Sequence, residues 1–158
     1  MKKIFLVLFL CLIFNSGFSQ KKKEIKALKL KSVTETVDVK GKILMDSKTV
    51  YDKNGEVIED EKYDDKGKLI SKTKYKLDIN NDVLEELEYD ATNKLIRKKV
   101  FKYNFLQKKS EEAIFDGKNV LQKKHVYKYN AKGLKATKIT YDGTNKIVSK
   151  KKYSYAFK

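Results

Sequence analysis

His125 is the only histidine in the chain. Imidazole is the side chain most readily used as a general base or metal ligand near neutral pH. A catalytic pair also needs a nucleophile within reach, and no local motif supplies one, so His125 reads as an ordinary sheet histidine. Glu59, Glu61 and Glu85 come next, since two carboxyl groups ~5 to 10 Å apart across a cleft can hydrolyse a glycosidic bond. Their neighbours are lysines and tyrosines, and cross-strand ion pairing accounts for them. Asp52, Asp64, Asp90, Asp116 and Asp142 each follow an aromatic residue. Calcium takes ~6 to 8 oxygen ligands, whereas each of these segments offers one or two carboxylates beside lysines, the pattern of a turn cap. Cys11 is the single cysteine and falls in the N-terminal apolar stretch, which leaves no thiol nucleophile, disulfide or thiolate metal site beyond it. The reading is no catalytic, cofactor-binding or metal-ligating residue, no cofactor, and no enzyme; a carbohydrate-active enzyme using the glutamates is the rival from that class.

The formal net charge of +16 points to polyanions or anionic surfaces as partners without selecting one. From Lys48 onward the lysines fall mainly on even positions. Lys62, Lys68, Lys72, Lys74, Lys94, Lys98, Lys102, Lys124, Lys128, Lys150 and Lys152 therefore form the candidate polyanion-contact face. Solubility and protection of sheet edges is the competing explanation for such a stripe.

The elements that position these residues follow from the spacing of the aromatics. Tyr51, Tyr63, Tyr75, Tyr89, Tyr103, Phe115, Tyr129, Tyr141 and Tyr153 are separated by even intervals throughout. Every aromatic from Tyr51 to Phe157 carries an odd number. Strand side chains alternate with period two, so even intervals place the aromatics on one face and the lysines on the other, provided each turn preserves the parity. Gly55, Gly67, Asn93, Asn119, Gly133 and Asn145 each stand at the fourth position after an aromatic. These are the residue types that accept a left-handed backbone, as in a three-residue hairpin loop made of a type I turn and a left-handed closing residue. That loop sets Tyr51 opposite Val57, Tyr63 opposite Leu69, Tyr89 opposite Leu95, Phe115 opposite Leu121 and Tyr141 opposite Ile147, with Asp64 opposite Lys68.

The expected fold is all-β: an antiparallel meander of about ten strands, at 32 to 39, 42 to 51, 56 to 64, 68 to 77, 83 to 90, 94 to 104, 109 to 116, 120 to 130, 134 to 142 and 146 to 156. A sheet of ~10 twisted strands tends to curl, which gives a partly closed barrel with the aromatics inside or an open sheet covered by a partner or its own N-terminus. Lys21 to Lys31 is a basic lead compatible with a short helical turn or a disordered segment. Residues 1 to 19 have the parts of a secretory signal: Lys2 and Lys3, the apolar run Ile4 to Phe14, and the small Gly17 and Ser19 before Gln20. The run is far short of the ~20 residues that span a bilayer. Cleavage before Gln20 is expected, followed by export to the periplasm, cell surface or exterior with no stable membrane insertion. Residues 20 to 31 form the lead and 32 to 158 a single repeat domain.

Tyr63-Asp64-Asp65-Lys66-Gly67-Lys68-Leu69-Ile70 resembles the YD-repeat (RHS-type) unit, and Tyr51 to Ile58, Tyr129 to Leu134 and Tyr89 to Ile96 resemble it more loosely. The chain is also similar to short bacterial proteins with MORN-like hairpin repeats. Both likenesses imply a hairpin-repeat architecture. The functional expectation is a non-catalytic exported binding or structural module that presents a basic sheet face to anionic polysaccharide or lipopolysaccharide. The alternative is an inhibitor or immunity-type partner of an acidic protein. Nucleic acid is disfavoured, because stacking aromatics and lysines are placed on opposite faces.

Overall fold

The computed structural model describes Phe18 to Phe157; Met1 to Gly17, and with them most of the expected export signal including Cys11, lie outside the described residues, as does Lys158. Among the described residues, ten strands follow one helix. They are β1 (Ser32–Val39), β2 (Lys42–Tyr51), β3 (Val57–Tyr63), β4 (Leu69–Leu77), β5 (Val83–Asp90), β6 (Leu95–Tyr103), β7 (Lys109–Asp116), β8 (Leu121–Tyr129), β9 (Lys135–Asp142) and β10 (Ile147–Lys152). They form one antiparallel sheet in chain order, each paired with its sequence neighbours. The sheet does not close into a barrel, since among the described residues β1 pairs only with β2 and β10 only with β9.

The turns explain why the chain reverses where it does. In the turn before β4, the Asp64 carboxylate accepts the Lys66 and Lys68 amides at 2.9 and 2.8 Å. Gly67 closes the turn at φ 74°, its amide donating to the Asp64 carbonyl. The same device recurs at equal steps along the chain, at Asp90, Asp116 and Asp142, with Asn93, Asn119 and Asn145 in the left-handed position. A second set, Asp52, Asp78, Asn104 and Asn130, follows the same step and is closed by Gly55, Asn81, Gln107 and Gly133. The structural repeat is thus a two-strand unit whose length is the interval from Asp64 to Asp90.

Tyr63 does stand opposite Leu69, and the four companion pairs expected from the loop geometry form as well. The face assignment does not hold. After Tyr63 and Leu69 the next pair is Lys62 with Ser71, so Ile70 is an unpaired bulge residue. The same one-residue shift occurs in every hairpin from β2–β3 onward. A single inserted residue exchanges the faces of the next strand relative to residue parity. Tyr63, Tyr89, Phe115 and Tyr141 consequently share one face, while Tyr75, Phe101 and Tyr127 occupy the other. No barrel interior lined by all the aromatics is formed.

The register also slides steadily. Lys74 stands opposite Leu87, which stands opposite Lys98; yet Lys98 is the counterpart of Lys72 in the repeat, so each unit is displaced by two positions from the one before. Such progressive stagger is what coils a sheet.

Little of the sheet is covered. Among the described residues Ile25, Phe101 and Ala113 are the buried apolar side chains, and Glu61 the buried charged one. Cohesion therefore comes from cross-strand pairs on both faces. Tyrosine latches add to it: the Tyr103, Tyr129 and Tyr155 hydroxyls donate to the carbonyls of Val83, Lys109 and Lys135 at 3.0, 2.7 and 2.8 Å, one latch per unit.

The basic lead folds as α1 (Phe18–Ala27). Its end is a Schellman-type cap, with Lys29 at φ 52°, its amide donating to the Lys26 carbonyl and that of Leu30 to the Ile25 carbonyl. Ile25 is buried against the turn before β3, and Lys22 pairs with Glu56.

Candidate functional site

Residues directly opposite one another in an antiparallel pair lie on the same face, so the pairing register sorts the charged groups. One face carries Lys48, Lys72, Lys74, Lys76, Lys98, Lys102, Lys124, Lys128, Lys150 and Lys152 against Glu59, Glu61, Glu85 and Glu111. The other carries Lys62, Arg97, Lys99, Lys123, Lys138 and Lys151 against Asp60, Glu86, Glu88 and Glu112. We call them the lysine face and the mixed face. Of the expected contact residues, Lys72, Lys74, Lys98, Lys102, Lys124, Lys128, Lys150 and Lys152 are brought together on the lysine face. Lys62 lies on the mixed face, and Lys68 and Lys94 belong to the turns before β4 and β6.

The lysine face is uneven along the sheet. Towards β3 to β5 its cations are neutralised: Lys72 lies 3.1 Å from Glu61 and 3.9 Å from Glu59, Lys74 3.8 Å from Glu59, and Lys76 4.0 Å from Glu85. The Glu61 carboxyl sits below its ordinary range, chiefly because the Tyr63 hydroxyl donates to it at 2.7 Å, with Lys72 adding to the effect. Burial and that same bond push the Tyr63 phenol up to about 12. These glutamates are held in ion pairs, as the sequence suggested. From β7 onward Glu111 is the last carboxylate on this face, and it is taken by Lys102 at 3.1 Å. Lys98, Lys124, Lys128, Lys150 and Lys152 have no carboxylate within 4.0 Å among the described residues.

Aromatics alternate with those lysines. Lys72 stands opposite Tyr89, Lys98 opposite Phe115 and Lys124 opposite Tyr141, three copies of one pair at the repeat interval. The Lys124 ammonium lies 4.9 Å from the Tyr141 ring centroid and donates to the Asn145 amide oxygen at 2.9 Å. The expectation of aromatics and lysines on opposite faces is therefore overturned, and with it the stated reason for disfavouring nucleic acid. A regular signal was present: Lys72, Lys98, Lys124 and Lys150 are evenly spaced, and Tyr63, Tyr89, Phe115 and Tyr141 follow one another at the same interval.

The mixed face is knitted by opposite charges. Arg97 meets Glu88 at 2.5 Å and Lys99 meets Glu86 at 2.6 Å. The Tyr75 and Tyr127 hydroxyls donate to Asp60 and Glu112 at 3.2 and 2.9 Å, and burial first, then these carboxylates, push both phenols well above their usual value. His125 lies here with Nδ1 3.0 Å from the Thr140 hydroxyl. Burial, followed by Lys138, holds its imidazole below the ordinary value. No group of three or more potential metal ligands occurs among the described residues.

The turn aspartates carry a pH dependence. Asp64, Asp90 and Asp142 are held below the usual 3.8, Asp64 mainly by the Lys68 amide and the other two mainly by the Thr92 and Thr144 hydroxyls. A carboxyl depressed in the folded state contributes stability above its unfolded pKa, and that contribution is lost as pH falls through the folded value. Thermal stability should therefore be insensitive to these groups from neutrality down to the ordinary Asp range and decline below it. Combined Asp64→Asn, Asp90→Asn and Asp142→Asn substitution should flatten the acid limb while preserving the fold, as Asn104 and Asn130 already serve the same kind of turn; an unchanged limb in calorimetry across pH would contradict this.

No protein-family model matches the chain, and no curated protein does. Similar solved structures include a protein of unknown function from Bacteroides fragilis, 14% identical with a TM-score of 0.41, covering 80% of this chain and 96% of that one. A porin-like protein from Bacteroides uniformis is 10% identical with a TM-score of 0.41, the match covering 79% of this chain and 50% of that one. A DUF3836 family protein from Bacteroides vulgatus is 17% identical with a TM-score of 0.26, over 71% of this chain and 99% of that one. Scores this low establish neither a shared fold nor a shared function.

Proposed function

We propose that the chain is a non-catalytic exported module that binds a linear polyanion, an anionic polysaccharide first, through the β6 to β10 part of the lysine face. The observation that carries this reading is the group Lys98, Lys124, Lys128, Lys150 and Lys152, free of carboxylate partners among the described residues and interleaved with Phe115 and Tyr141. Unneutralised ammonium groups attract a polymer's charges, and aromatic rings give sugar or base faces an apolar surface to lie on. An open sheet with repeating pairs suits a repeating chain better than a small molecule. An acidic protein would meet the same cations, and capture of one stoichiometric acidic partner in place of any glycan would favour the inhibitor reading.

The test is binding of the purified chain to a sulfated glycan, lipopolysaccharide, single-stranded DNA and a neutral glycan over a salt series. Binding that engages about three lysines should give a log–log salt slope of about −2 to −3, by analogy with nucleic acids. One anionic ligand should persist at physiological salt while the neutral glycan fails. Equal, weak binding of every polyanion that vanishes together with salt would refute a specific site. Mass spectrometry of the exported chain tests the compartment: a mature N-terminus at Gln20 is expected, and an uncleaved chain retained in the cytosol would contradict export.

A further inference from the structure

Among the described residues the two outer edges of the sheet are unpaired, and they carry opposite charge. β1 contains Glu35 and Asp38 and no basic residue, and it is exposed along its whole length. β10 ends in Lys150, Lys151 and Lys152, each exposed, and contains no acidic residue. Helix α1 packs on the turn before β3, and among the described residues β1 stays exposed. An open row of backbone donors and acceptors is a template for another strand, and lysines on an edge ordinarily block it. Here they block one kind of pairing only. Two β10 edges brought together antiparallel would set lysine against lysine, and two β1 edges acid against acid, both unfavourable.

We propose that β1 of one copy adds to β10 of another, joining copies of this chain head to tail into a continuous sheet. Strand number supports the geometry. Because ten is even, a strand added beyond β10 in the same alternation runs in the direction of β1, so the new ladder is antiparallel like every other in the sheet. Side-chain faces support it as well. With Glu35 opposite Lys151, both lie on the mixed face, while Thr34 and Thr36 meet Lys152 and Lys150 on the lysine face. The binding face would then run on without interruption from copy to copy. Such an interface is heterologous, and its products are rings or filaments rather than a two-fold dimer.

Sedimentation velocity of the full chain, expressed with its own N-terminal segment, should show mass rising with concentration beyond a dimer and falling at high salt. Glu35→Lys with Asp38→Lys, or Lys150→Glu with Lys151→Glu, should each weaken association by more than about tenfold, since each sets like charges across the joint, directly between positions 35 and 151 and diagonally between 38 and 150. The four substitutions together should restore it, with circular dichroism confirming a folded sheet in every variant. A chain that stays monomeric at all concentrations, as a sheet closing on itself would, overturns the proposal. Assembly that survives both single-edge reversals, or that the fourfold variant fails to regain while folded, overturns it equally.

Discussion

Phe101→Ala should be the most damaging truncation in the sheet, lowering unfolding free energy by ~3 kcal/mol in denaturant titration, within the span measured for Phe removal from packed sites. Phe101 is 6% exposed, the only buried aromatic among the described residues. Its ring lies under Lys109, whose ammonium stands 3.9 Å from the centroid, and opposite Glu112. Among the described residues no second apolar layer lies on the sheet, so a covered ring of this kind serves as a core, and its loss leaves aliphatic stems without a surface to cover. Phe105→Ala is the matched control. Phe105 is 93% exposed in the turn after β6, and its truncation should change stability by less than about 0.5 kcal/mol. Equal effects at the two positions would contradict the claim that the sheet stabilises itself through covered aromatics.

Gly55→Ala should cost ~2 kcal/mol, in the range of a non-glycine residue forced into an unsuitable left-handed site. It should also release α1. Gly55 sits at φ 80°, and a Cβ there would stand 2.9 Å from the Lys22 carbonyl oxygen and 3.4 Å from the Ile25 side chain. Backbone strain alone is not the issue, because Asn81 and Gln107 hold the equivalent positions at φ 67° and 55°. Gly133 separates the two contributions. It has a similar φ of 71°, but a Cβ would meet the end of the Lys108 side chain, which can swing aside. Gly133→Ala should therefore show the conformational cost alone. Hydrogen exchange over Lys22 to Ala27 should accelerate in Gly55→Ala and stay unchanged in Gly133→Ala; if both behave alike, the helix is not seated on that turn.

Much of the architecture was legible because turn chemistry is local. Asp64 and Gly67 announce their reversal within one short loop, and Tyr63 opposite Leu69 follows from loop length alone, so strand positions agree closely at both ends. Face assignment is not local. It accumulates every inserted residue, and one bulge residue per hairpin, such as Ile70, Ile96 or Val148, exchanges the faces of the strand that follows. The trace it leaves is the doubled aliphatic at strand starts, Leu69-Ile70 or Leu95-Ile96, where a strict alternation would place a polar residue. Half of each pair is exposed: Ile70 by 54% and Ile96 by 43%. For the site, the even-numbered lysines did converge, because even positions of β4, β6, β8 and β10 share a face. Lys62, in the odd-numbered strand β3, separates from them for the same reason. Which lysines stay unneutralised depends on where Glu59, Glu61, Glu85 and Glu111 fall across the ladder, and this is set by register.

The most direct measurement compares two charge-matched variants for binding to the sulfated glycan: Lys98→Gln, Lys124→Gln and Lys128→Gln on the lysine face, and Lys62→Gln, Lys123→Gln and Lys138→Gln on the mixed face. Both lose three positive charges, so long-range attraction weakens equally, and only placement differs. The lysine-face variant should lose at least about tenfold in affinity and flatten the salt slope by ~2 to 3, one increment per lost contact. Its mixed-face counterpart should stay within about threefold of the parent. Equal losses in the two variants would mean that net charge alone attracts the polymer and that the lysine face is not its site.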